Sequence, residues 1–523
     1  MDKIVRATAI VFCSLFIWTV AQSVAPPAVE ADPSKEGTDL FEKQCAICHG
    51  SDGKGDGRAA VFLFPKPRNF TDGLFKIRTT PGGSPPTKQD IFNTITNGMP
   101  GSAMPGFASL PESQRWALAA LVAEWAEIEE EPEEVIQVSA EPPATAEIVG
   151  QGKELYIKNK CWECHGHEGR GDGPASGTHI DDWGYPILTN DLTRGIFKGG
   201  HQPSDIYVRL TSGLAGTPMP AYEDVLSDAE RWALAHYVKS LVGSKVAEQP
   251  STGTIVAGQI AGPLPSNALD SRWGEIAQTT VPLMQLWQTK QAVDAVSVKA
   301  VHDRKRVVIL VEWEDWEINS STLRHEDFSD GAAIMFSLAP KKAPSEQPHF
   351  SMGEKGEAVN LWYWRLDRQM DLAGHQDIET IYPHMVSDSY QLERGRYPLD
   401  VNTPSHLPMA SATAHDPVFI TGWGAGNPVS NPVRSSAAED LNAEGFGTLT
   451  AQPQADQNVE AYGLYVAGKW MVVFARELRS EGSSDVQFKN GRAFPLAFAV
   501  WDGSKQDRDG QKAVTSWYEL MLE

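Results

Sequence analysis

Two pentapeptides hold the residues of the chain best suited to covalent chemistry: Cys45-Ala46-Ile47-Cys48-His49 and Cys161-Trp162-Glu163-Cys164-His165. Two thiols separated by two residues can each bond to a vinyl group of haem, and the histidine that follows reaches the iron from below. A zinc half-site or a redox dithiol uses the same cysteine spacing, but zinc needs further Cys or His ligands nearby. Between Gly50 and Val149 there is neither Cys nor His, so the first motif cannot complete such a site. The reading is two covalent haems c, attached at Cys45/Cys48 and at Cys161/Cys164, with His49 and His165 as axial ligands. The fifth cysteine, Cys13, lies in an apolar N-terminal run, and no thiol is left over for a structural disulfide.

The opposite axial position follows by elimination. The first motif is served by one histidine only, so its second ligand is a sulfur, from Met99 or Met104. The two motifs lie in matched surroundings: CHGSDGKGDG against CHGHEGRGDG, NGMPGSAMPGF against SGLAGTPMPAY, and RWALAALVAEW against RWALAHYVKSL, in one order at offsets of 115 or 116 residues. Met99 aligns with Leu214, which cannot bind iron, whereas Met104 aligns with Met219, and both are followed by proline. Met104 and Met219 are therefore the expected ligands, and Met99 is expected to be a core residue.

Three matched blocks argue duplication of a whole domain. Each copy needs a helix before its motif, a Gly-rich turn after the histidine, and a closing helix. Trp116, Leu118, Ala119, Val122 and Trp125 recur at helical spacing, and Ser227-Asp228-Ala229-Glu230 is helix-start chemistry. Between the copies, the glutamates of 127–134 and Pro142-Pro143 predict a solvated linker. A second stretch, rich in Gly, Ser, Thr and Pro, predicts another. Beyond it, β-rich runs at 307–311, 469–474, 494–501 and 513–520 are punctuated by turns, which predicts an antiparallel β-sandwich of about 260 residues.

The chain has 523 residues and a net charge of −23, with 41% hydrophobic and 22% charged residues. These are globular proportions. The acidic balance disfavours nucleic acid and suits a basic protein partner. Lys3 and Arg6 precede an apolar run from Ala7 to Ala21, which reads as an export signal within residues 1–31. Left uncleaved, it would tether the chain to a membrane, although about fifteen residues is short for a span of about twenty. Export agrees with haem c, which is attached outside the cytoplasm.

The two copies resemble class I cytochrome c domains, a likeness carried by CxxCH, the Met-Pro turn and the closing helix. It implies small helical domains whose six-coordinate iron transfers electrons. In the C-terminal part, no Ser-His-Asp set, phosphate loop or carboxylate pair stands out. Its tryptophans (Trp313, Trp316, Trp362, Trp364, Trp423, Trp470, Trp501 and Trp517) suit either a sandwich core or a flat-ring pocket, and composition favours the core. Several segments are similar to the haem b-binding γ subunit of ethylbenzene dehydrogenase and its relatives. They are His349-Phe350-Ser351-Met352-Gly353, Val359-Asn360-Leu361-Trp362-Tyr363-Trp364, the Gly-rich segment 422–428, segment 439–447, Ala497-Phe498-Ala499-Val500-Trp501-Asp502-Gly503, and Gln511-Lys512-Ala513-Val514. The resemblance implies one non-covalent haem b, with Met352 as a ligand and Lys512 opposite it. Lys489, His349, His406 and His415 are the alternatives to Lys512. It also implies partners: the molybdopterin and iron–sulfur subunits of a periplasmic molybdoenzyme, nitrite oxidoreductase-like complexes included, and a cytochrome electron donor or acceptor.

The expected layout is a signal at 1–31, cytochrome c domains at 35–128 and 146–244, linkers at 129–145 and 245–264, and a haem b domain at 265–523. Two all-α domains thus precede an all-β sandwich. The expected role is electron transfer, with substrate chemistry on another subunit. The rival readings are a dihaem, peroxidase-like enzyme and a β-sandwich binding module with cytochrome domains attached.

Overall fold

Gly37 and Gly152 mark where the duplicated helices cross most closely. A Cβ on Gly37 would meet the carbonyl oxygen of Ala117, and one on Gly152 that of Ala233. In the computed structural model, which describes residues 33–243 and 253–523 apart from 133, 291, 342–345, 375, 377 and 383–435, these crossings join first and last helices in both copies. The first copy comprises α1 (Pro33–Gln44), α2 (Ala46–His49), α3 (Lys88–Asn97) and α4 (Glu112–Trp125). The second repeats the order with α5 (Ala146–Lys158), α6 (Trp162–His165), α7 (Pro203–Ser212) and α8 (Asp228–Ser240). The export signal and Cys13 lie outside the described residues. No described helix is long and apolar enough to cross a membrane.

The helix starts are locally encoded. Thr87 and Asp90 form a reciprocal capping box on α3, and Ser227 and Glu230 form one on α8. Each box satisfies amide groups that a helix N-terminus otherwise leaves bare. The predicted closing helix appears as α4, with Leu118, Ala119 and Val122 buried. Trp116 is half-exposed and stacks on Phe92 at 4.3 Å.

The acidic linker is irregular, as expected, but it is not loose. The Ile136 amide donates to the Thr79 carbonyl at 2.7 Å, Trp232 Nε1 donates to Ser139 Oγ at 2.9 Å, and His236 Nε2 lies 2.9 Å from the Pro142 carbonyl. Its second half, where the glutamates thin out, lies strapped along α8.

Among the described residues, the C-terminal part is one hydrogen-bonded sheet of fourteen strands. They are β1 (Thr254–Gln259), β2 (Thr279–Pro282), β3 (Met284–Gln285), β4 (Ala295–His302), β5 (Arg306–Glu314), β6 (Gly331–Ser337), β7 (Val359–Arg365), β8 (Ala438–Ala443), β9 (Thr450–Ala451), β10 (Glu460–Val466), β11 (Lys469–Glu477), β12 (Arg492–Trp501), β13 (Ala513–Val514) and β14 (Tyr518–Leu522). The order along the sheet is β10-β11-β5-β4-β1-β14-β12-β6-β7-β8-β9. Its two arms fold over a shared interior: Trp364 of β7 packs on Trp470 of β11 at 5.2 Å and on Trp313 of β5 at 6.2 Å.

Three expectations need correcting. The sheet is not wholly antiparallel, because β1 runs parallel to both β14 and β4. The linker expected at 245–264 contains β1, whose Ile255 and Ala257 point into the interior beneath a Gly- and Thr-rich composition that hid them. The run 513–520 is two strands rather than one. Trp313, Trp362, Trp364 and Trp470 are core residues, which leaves them unable to form a ligand platform.

Candidate haem-binding sites

Each CxxCH motif is a single helical turn, α2 or α6, that carries its histidine at the end. His49 Nδ1 lies 3.1 Å from the carbonyl oxygen of Arg68, and His165 Nδ1 lies 3.1 Å from that of Asn190. A neutral imidazole that donates from Nδ1 keeps its Nε2 lone pair for a metal. Burial favours the neutral form, pushing His49 down to about 4 and lowering His165 as well. The Phe70 ring stacks on His49 at 4.6 Å and fixes its plane.

The four thiols are held protonated. Burial pushes Cys45 up to about 12 and both Cys48 and Cys161 up to about 11, and it raises Cys164 too. A thioether has no proton to lose, so the same burial suits attached haem.

Cys45, Cys48, His49 and Met104 line one cavity, walled by Ile91, Ile95 and Phe107. A neutral imidazole, a thioether sulfur and an apolar wall are the donor set and surroundings of haem c, so these residues fit it. Met99 is half-buried and lines the same cavity, rather than joining the helical core as expected. The two repeats share that turn: the Met99 amide donates to the Met104 carbonyl at 3.0 Å, and the Leu214 amide to that of Met219 at 3.1 Å. Met219 packs with Cys161, Trp162 and Tyr222 against the second helical core. His179, which sequence reading passed over, places Nε2 3.2 Å from Cys164 Sγ. It belongs to a stretch without a counterpart in the first copy, and that mismatch was the available signal.

In the sheet domain, Met352 and Lys512 come together across 160 residues, with Sδ and Nζ 3.9 Å apart. Met352 has φ +85°, a strained conformation for a non-glycine residue. It packs against Met335, Leu361, Leu441 and Ala497. Lys512 Nζ lies 4.7 Å from the centre of the Trp501 ring, and burial pulls its pKa down to about 8. A lysine binds iron only when neutral, so this surrounding suits a ligand, and the apolar wall suits a non-covalent haem.

The alternatives to Lys512 fare differently. Lys489 is exposed, just before the turn at 490–491. His349 Nδ1 lies 2.5 Å from Ser351 Oγ, and the residue also hydrogen bonds the backbone of Gln44, which occupies the imidazole. His406, His415 and segment 422–428 lie outside the described residues.

The cavity of the first motif and the Met352–Lys512 site share a wall. His349 and Phe350 line the cavity of the first motif, and Met352 follows two residues later. Leu63 of that cavity also packs in one apolar cluster with Val514, which follows Lys512 by two residues. Backbone bonds lock the joint: the Phe64 amide donates to Leu286 at 3.0 Å, and the Gln288 amide donates to Phe64 at 2.7 Å. An Arg194–Asp294 ion pair ties the second helical copy to the sheet.

Comparisons with known proteins follow this division. The profile of the family described as Ethylbenzene dehydrogenase matches residues 270–513. That described as Cytochrome c matches 149–242, and that described as Cytochrome C oxidase, cbb3-type, subunit III matches 32–122. A putative respiratory nitrate reductase heme subunit of Haloferax mediterranei is 21% identical over 53% of this chain and 75% of its own length. The chlorate reductase subunit gamma of Ideonella dechloratans is 25% identical over 44% of this chain and 65% of its own length. A chain of the Kuenenia stuttgartiensis reducing HAO-like protein complex is 47% identical over 40% of this chain and 96% of its own, with a TM-score of 0.39.

Proposed function

We infer that this chain, which joins two cytochrome c domains to a domain of the ethylbenzene dehydrogenase γ type, is the electron-transfer subunit of an extracytoplasmic molybdoenzyme complex. Similarity to a chlorate reductase gamma subunit and a nitrate reductase heme subunit supports the class. Substrate chemistry then belongs to a molybdopterin subunit reached through an iron–sulfur subunit, and a cytochrome serves the other end.

Haem, when bound, supplies reversible one-electron chemistry. The chain's own residues hold it: Cys45 and Cys48 with His49 and Met104, Cys161 and Cys164 with His165 and Met219, and Met352 with Lys512. The observation that carries the reading is the shared wall. Phe350 lines the cavity of the first motif, while Met352, two residues on, faces Lys512 at 3.9 Å. The first cytochrome domain is therefore the natural neighbour of the sheet-domain site.

Acid–acetone extraction and intact mass test the cofactor count. One haem should extract, and the mature polypeptide should carry the mass of two more. A polypeptide with one attached haem or none, or a preparation that releases none, would overturn the reading. Co-purification of a molybdenum-containing subunit tests the partner.

A further inference from the structure

Cations line the cavity of the first motif, and among the described residues no carboxylate lines it with them. Arg68, Lys76 and Lys198 all line it, and Lys198 is contributed by the second cytochrome domain. Among the described residues, none of the three forms a salt bridge or donates a side-chain hydrogen bond to a carboxylate. Asp72, Asp181 and Asp182 face Arg68 from farther away, and Asp181 also faces Lys76. The Arg68 guanidinium lies on the Trp183 ring of the second domain, 3.8 Å from its centre, and Trp183 Nε1 donates to Asp72 at 2.6 Å.

The two lysines are equivalents under the duplication. Lys76 follows the short turn Phe70–Asp72, and Lys198 follows Leu192–Arg194. Both turns are capped by a side chain, Asn69 or Asp191, and closed by a left-handed glycine, Gly73 or Gly195. Phe75 precedes one lysine and Phe197 the other. The domains are packed so that equivalent loops meet. Arg78 donates to the Ser212 carbonyl at 2.8 Å, and Arg209 donates to that of Arg78 at 2.7 Å. The lysines are thereby brought into one space, where burial and like charge lower Lys76 to about 7 and burial and Arg68 lower Lys198 to about 8. Crowded, half-buried cations are unfavourable unless an anion is bound among them.

We propose that Arg68, Lys76 and Lys198 form a composite dicarboxylate site that takes the two propionates of the haem attached at Cys45 and Cys48, so that the second cytochrome domain completes the haem pocket of the first. This rests on the reading of that motif as a haem c site. Lys198 is a positioning residue, and it has an electrostatic consequence. A cation beside the propionates disfavours the ferric state, whose net charge is more positive by one. Docking of the second domain thus raises the potential of the first haem.

The test uses the full-length chain with Lys198→Met, Lys76→Met, Lys198→Arg and, as an exposed control, Lys54→Met. Intact mass first establishes whether two haems are attached. A wild-type chain lacking them overturns the haem c reading and the proposal with it. With both attached, a spectroelectrochemical titration should show one midpoint potential lowered in Lys198→Met and in Lys76→Met, and largely restored in Lys198→Arg. The Lys54→Met variant should match the wild type. Unchanged potentials in both Lys→Met variants, with both haems in place, would overturn the proposal and leave the haem c reading standing.

Discussion

At the scale of single residues, the open choice is between two sulfurs. Met99 and Met104 face the same cavity, so proximity alone does not separate them. The duplication does, because the turn that holds Met104 is rebuilt around Met219 with Leu214 in the place of Met99. Met104→Ala and Met219→Ala should each abolish one sulfur-to-iron charge-transfer band and lower that haem's potential, since a thioether ligand raises it. Met99→Ala should leave both bands intact, and a band missing from that variant would reassign the ligand. In the sheet domain, Met352→Ala and Lys512→Ala should each loosen haem b or turn it high-spin, whereas Lys489→Ala should not. A non-covalent haem is held by its axial bonds and apolar wall alone, so loss of either ligand reads out as loss of cofactor. The covalent attachment points were legible in the sequence because CxxCH keeps both thiols and the histidine within five residues. Met352 and Lys512 were not legible from spacing, since 160 residues separate them and only strand pairing brings them together. They came from a family likeness. His179 went unseen because nothing in the first copy corresponds to it.

At the scale of elements, the sheet buries acids as well as tryptophans. Oxygens of Asp315, Asp330 and Asp502 lie within 4.8 Å of one another. Asp330 accepts from the amides of Gly503 and Asn319 and from Trp470 Nε1. Burial nevertheless dominates, with Asp315 and Asp502 adding repulsion, and pushes it up to about 8. The folded state therefore keeps a proton that the unfolded chain releases near pH 4. Stability from this group is full below that pH and is lost as pH rises through 8. Between pH 6 and 8 the sheet domain should lose on the order of 2 kcal/mol through one such carboxyl. Thermal melts across that range should fall in midpoint. Asp330→Asn should start lower, having lost an acceptor, but show a flatter pH slope. A variant with the wild-type slope would place the titration elsewhere. Strands β5, β11 and β12 were readable as apolar runs because both their faces are covered. Strand β1 was not, since its alternation is short and set among glycine and threonine. Its parallel pairing depends on β14, at the far end of the domain, which local pattern cannot report.

At the scale of the whole molecule, the joint between the first cytochrome domain and the sheet decides whether the two halves act as one body. Leu286 is at its centre. It is buried among Ala59, Leu63 and Val514, its carbonyl accepts from the Phe64 amide, and its own amide donates to the Lys512 carbonyl at 3.0 Å. One residue thus touches the wall of the first cavity and the backbone of the expected haem b ligand. No periodicity in the sequence marked this contact, because it joins segments from separately patterned domains. Truncating a buried leucine costs about 2–5 kcal/mol, and at a domain interface that loss falls on docking more than on either fold. The wild-type chain should show the first cytochrome domain and the sheet melting together in calorimetry. In Leu286→Ala the transition should broaden, and in Leu286→Asp, which also buries a charge against an apolar face, it should divide in two. Intact mass should still show the covalent haems, since Leu286 contributes no ligand. A Leu286→Asp chain that keeps one shared transition would show that the Phe64 backbone bonds and the Phe62–Phe446 stack, at 5.6 Å, hold the joint without the apolar centre.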